Sequence, residues 1–121
     1  MKIVFGLAAL AAALPAAPAG AQFHGGTPLQ QAASVYGECV YARARSARQS
    51  GASADSAIAS GFSKCKGERK RTLNATRARI AAAGIKGEQA RLGAQSMIES
   101  GDRMMADTLR QEFAAAAAAP K

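Results

Sequence analysis

The strongest constraint on what this chain folds into is its pair of cysteines. Cys39 and Cys65 are the only two, and they lie equally far from a turn signal, Ser50-Gly51-Ala52-Ser53. In an antiparallel hairpin pivoting near residue 52, Cys39 meets Cys65, Tyr36 meets Glu68 and Arg43 meets Gly61. The spacing therefore predicts a helical hairpin closed by a Cys39–Cys65 disulfide. In the chain-entropy account a loop of this length contributes about 3–4 kcal/mol.

The compartment supports the bond. Lys2, the apolar run Ile3 to Leu14 and the small-residue site Ala19-Gly20-Ala21 read as a signal peptide over 1–21. The run is too short for a membrane span. No cysteine follows the cleavage point, so a lipid anchor is not expected, and no later stretch is apolar enough to cross a bilayer. The mature chain is expected to begin at Gln22 in a periplasmic or secreted, oxidising environment, where two cysteines pair.

Helical periodicity organises the rest. After a lead-in over 22–27, Thr27 suits an N-cap, Pro28 the first helical position and Gln30 a capping box. Leu29, Ala32, Tyr36, Cys39, Arg43 and Ala47 then share one face, and the helix should end near Gln49. A second helix can start after Ser53 and run to Ala83, with Ile58, Phe62, Cys65, Arg69 and Thr72 on its inner stripe. Gly67 marks a plausible kink, so this arm reads as one long helix or as two. A third helix is expected from about Glu88 to Ala114. Ala94, Ile98, Gly101, Met105, Leu109 and Phe113 line one face, with Met97 and Met104 on its flank. Glu99, Arg103 and Asp107 are spaced to pair four residues apart on its polar side.

The fold class is therefore all-α: a single helical domain over 28–113 and a fraying alanine-rich tail over 114–121. The third helix either completes a three-helix bundle or extends to pack on a second copy. The core is thin, because Leu, Ile, Val and Phe together number only 13 from residue 22 onward. Alanine supplies much of the remaining apolar content, and it buries little area.

Charge divides the chain. Between Glu38 and Arg79 ten Lys/Arg stand against three Asp/Glu, whereas from Ile85 to Lys121 five face five. The hairpin carries the positive excess. Lys66, Lys70 and Arg77 fall on one flank of its second arm and are the best candidates to bind an anionic partner, such as an envelope component or an acidic protein. Aromatic residues are not interleaved with them, and export disfavours nucleic acid. No nucleophile elbow, phosphate loop or dinucleotide fingerprint occurs, and the acidic residues are not spaced to surround a substrate. The chain is not expected to be an enzyme.

One further chemical feature sits at the expected mature terminus, Gln22-Phe23-His24. A free amine, two deprotonated amides and the imidazole can form a square plane about Cu(II) or Ni(II). A small metal-binding protein is thus an alternative, as is a periplasmic stress chaperone.

The pattern Tyr36-x-x-Cys39 followed by Phe62-x-x-Cys65, after an alanine-rich signal peptide, resembles small exported helical proteins of Gram-negative bacteria. The resemblance spans roughly residues 33–71 and implies an exported hairpin with one disulfide. It carries no catalytic residue with it and does not extend to the third helix. The expectation overall is an envelope interaction or scaffold module.

Overall fold

A computed structural model describes residues 26–119 of the chain. The signal segment over 1–21 and the Gln22-Phe23-His24 terminus lie outside the described residues. Four helices are present and no strand occurs among the described residues: α1 Pro28–Gln49, α2 Ala54–Lys64, α3 Lys66–Ala82 and α4 Gly87–Ala118. None of them is long and apolar enough to cross a membrane.

Local chemistry sets the helix starts as expected. The Thr27 hydroxyl accepts the Gln30 backbone N–H at 3.2 Å, and the Gln30 side chain accepts the Thr27 N–H at 3.0 Å. Both donors would otherwise be orphaned at the helix end. At the turn Gly51 adopts φ 102°, a region costly for any side chain, and Ser53 caps α2 by accepting the Ser56 N–H at 3.2 Å. The chain reverses here, and the α2–α3 arm runs back along α1.

That arm breaks, but not at Gly67. The interruption is at Cys65, with φ −114° and ψ 28°, which ends α2 and begins α3. Its N–H donates to Phe62 O at 3.2 Å, three residues back, in place of the α-helical partner four back. Gly67 lies inside α3 and is exposed. The physical reason is at the contact with α1. Gly61 presses on the α1 backbone while Cys65 is bonded to Cys39, and the arm meets both contacts with a break of one residue.

The buried face of α1 also differs in phase from the expectation. Tyr36, Val40 and Ala44 are buried, Cys39 is half-buried and Arg43 is exposed. A Cβ on Gly61 would stand 2.8 Å from the Val40 carbonyl oxygen and 3.2 Å from Ala44 Cβ. Gly61 therefore makes room for the α1 backbone and not for the Arg43 side chain. On the opposing arm Ala57, Ile58 and Cys65 are buried, while Phe62 is only half-buried.

Helix α4 does dock on the hairpin, completing a bundle of α1, the bent α2–α3 arm and α4. It runs antiparallel to α3, with Asp102 against Arg69 and Gly93 against Ile80, and parallel to α1, with Glu112 against Arg45. Ala90, Ala94, Ile98, Leu109 and Phe113 are its buried residues. Gly101 and Met105 are half-buried, and Met97 and Met104 are exposed. The pairs expected at Arg103 do not form. Arg91 instead pairs with Glu88, and Arg110 with Asp107 at 3.0 Å. The alanine run expected to fray continues as helix to Ala118, in keeping with alanine's rank as the best helix former.

Candidate functional site

The predicted disulfide is formed: Cys39 and Cys65 are joined, with Cα atoms 6.0 Å apart, and no described cysteine is free. The Glu68 carboxylate lies within 4.8 Å of both sulfurs. With the sulfurs bonded to each other neither offers a thiolate, so this cluster has no metal-binding chemistry in the oxidised chain.

Helix α3 sets out the predicted cations as a stripe. Lys66, Lys70 and Arg77 are exposed, and none has an ion-pair partner among the described residues. Lys66 and Lys70 line a shallow cleft of about 410 Å³ with Phe62 and Leu73 at its apolar side. Arg77 lines a neighbouring cleft of about 210 Å³ where α3 meets α4, opposite Arg91. Leu73 borders both clefts, which lie next to each other along α3. The structure thus adds an apolar component that the charge pattern did not predict.

Arg69, which lies beside Lys70 on this helix, has a different role. Its Nε donates to Asp102 Oδ2 at 2.9 Å, its Nη2 lies at the same distance from that oxygen as an ion pair, and the Tyr36 hydroxyl donates to Asp102 Oδ1 at 2.6 Å. The Asp102 carboxylate of α4 is therefore held by α1 through one oxygen and by α3 through the other. Burial first, and then the bond to Asp102 and its charge, hold the Tyr36 hydroxyl well above the ordinary tyrosine pKa. Burial disfavours the Arg69 cation, but its bonds to Asp102 outweigh this and raise its pKa. A second clasp joins α1 to α4 where Arg45 forks onto both oxygens of Glu112, at 2.9 and 2.7 Å. Arg45 also stacks over the Tyr41 ring, 5.3 Å from its centre.

Asp102 was missed at the sequence level, although a signal for it exists. Arg69 falls on the apolar stripe of its helix and needs a carboxylate there. Asp102 is the acid next to the middle of the α4 apolar face.

From the Tyr36–Asp102 clasp toward the start of α1, α1 and α4 stay apart and leave an open cleft of about 320 Å³ over α3. Leu29 and Ala33 form one wall, Thr72 and Thr76 the floor, and Met97, Ile98 and Met105 the other wall. No family model, curated protein or solved structure matches the chain.

Proposed function

We propose that the protein is a non-enzymatic envelope interaction module whose α3 stripe docks on an anionic surface. The observation that supports this most is the arrangement of Lys66, Lys70 and Arg77. They are exposed cations that form no close ion pair among the described residues, set along one flank with half-buried Phe62 and Leu73 beside them. Cations beside apolar side chains suit a surface that offers both negative charge and hydrocarbon, as an anionic lipid headgroup region does. The disulfide bond and the signal-like segment at residues 1–21 agree with an exported protein.

Co-sedimentation with phosphatidylglycerol vesicles, beside phosphatidylcholine vesicles, tests this. Binding should require the anionic lipid and should fall from about 0.1 M to about 1 M salt, as the screening length shrinks from about 10 to about 3 Å. Reversing Lys66, Lys70 and Arg77 to Glu should abolish it with helical content unchanged. Equal binding to both lipids, or by the triple variant, overturns the proposal.

A further inference from the structure

The cleft between α1 and α4 is on a different side of α3 from the basic stripe, with α4 packed between them, and its chemistry is the opposite. Its floor carries hydroxyls that are already committed. Thr72 Oγ1 donates to Glu68 O at 3.0 Å and Thr76 Oγ1 to Thr72 O at 2.7 Å, each within its own helix. At the closed end the Tyr36 hydroxyl is spent on Asp102, whose other oxygen is held by Arg69. The described residues contain no buried side-chain polar atom without a partner. The hydroxyl donors are thus taken, so an anionic or hydrogen-bond-accepting occupant would lose its water and meet no free donor on this lining, a cost that an uncharged apolar one avoids.

Gly101 is central to this cleft. It lies in the middle of α4, where glycine costs about 1 kcal/mol relative to alanine. At Gly61 the backbone of α1 explains the missing side chain. At Gly101 a Cβ would meet nothing within 4 Å, and φ is not positive. What its bare backbone provides is the space between Ile98 and Met105.

Size decides the occupant. The cleft, at about 320 Å³, is at the lower end of the range for small-molecule sites. The handful of side chains around it falls far short of the roughly 800 Å² per partner that a specific protein interface buries. We propose that this cleft binds one uncharged hydrocarbon chain of a free amphiphile. Met97 and Met105, unbranched and adaptable, shape one wall around it.

The test uses the neutral fluorophore N-phenyl-1-naphthylamine, titrated into the mature protein below any micelle-forming concentration. Its emission should rise on binding, and monomeric 1-decanol should reverse the rise competitively. Gly101→Leu places a side chain in the cleft from a Cβ that meets nothing within 4 Å, and Gly67→Leu is the matched control on an exposed face. Gly101→Leu should weaken probe binding about tenfold or more while folding at least as stably, and Gly67→Leu should leave binding unchanged. No emission change in the unsubstituted protein, or equal binding by Gly101→Leu, overturns the proposal. So does an occupant of another kind: a dimer in sedimentation that Gly101→Leu dissociates, or binding to phosphatidylcholine vesicles but not to the monomeric alkanol.

Discussion

One missing methyl group, at Gly61, sets how closely α1 and α2 approach. With Val40 O only 2.8 Å from where a Cβ would be, Gly61→Ala must push the helices apart. Overpacking of this kind costs about 1–3 kcal/mol. Gly67→Ala, exposed and within α3, should stabilise by up to about 1 kcal/mol. Urea unfolding of both variants should show opposite signs, and equal shifts would mean that the Gly61 contact is not close. Tyr36 is the second critical residue. Its folded-state pKa is raised, so its contribution to stability is complete below the ordinary tyrosine value near 10 and is lost as pH rises past it. Melting temperature should therefore drop on the alkaline side, and the drop should be smaller in Tyr36→Phe. Near neutral pH that variant should lose about 1.5–3 kcal/mol, the range for a hydrogen bond to a charged group. An unaltered alkaline profile would show that Tyr36 is not the group responsible.

Among the elements, α4 is anchored by Leu109 and Phe113, both buried against the hairpin, and the alanines beyond them are exposed. Ending the chain after Phe113 should change thermal stability little, whereas ending it after Thr108 should destabilise it strongly. Comparable melting of the two truncations would contradict the docking of this helix end. How legible the elements were in the sequence follows from what sets each one. Helix starts depend on neighbours in sequence, so Thr27, Gln30 and Ser53 announced them. The cysteine pairing depends on distance from one turn, which is also local information. The phase of the α1 face is different. Helical period puts Tyr36, Cys39 and Arg43 on one stripe as readily as Tyr36, Val40 and Ala44, and only the pressure of Gly61 on the α1 backbone selects the second. The break at Cys65 was hidden for the same reason, since glycine marks where a helix can bend while the partner decides where it does. The Lys66–Lys70–Arg77 flank was readable from spacing alone. The apolar residues beside it and the Asp102 clasp needed α4 in place.

For the whole molecule, a small core means that few interactions carry most of the stability. The disulfide is the largest of them, and its reduction by a phosphine should remove about 3–4 kcal/mol, read as a fall in melting temperature under reducing conditions. Thiol titration of the denatured, unreduced protein should find none free. The Arg45–Glu112 clasp adds pH dependence on the acid side. The Arg45 hydrogen bond holds Glu112 below the usual glutamate pKa, so its small, solvent-screened contribution is present above that range and is lost as pH falls through it.

The position of the staple also bears on the order of folding. Cys39 and Cys65 both precede α4, and everything that brings them together, from the Thr27 cap through the Gly51 turn to the α3 start, lies within the first two-thirds of the chain. A chain that enters an oxidising compartment N-terminus first therefore presents a complete, covalently closable hairpin before its C-terminal third has followed. Contacts between near neighbours form quickly because little loop-closure entropy opposes them. The last helix then arrives at a template already locked, and Leu109 and Phe113 have only to find a preformed seat.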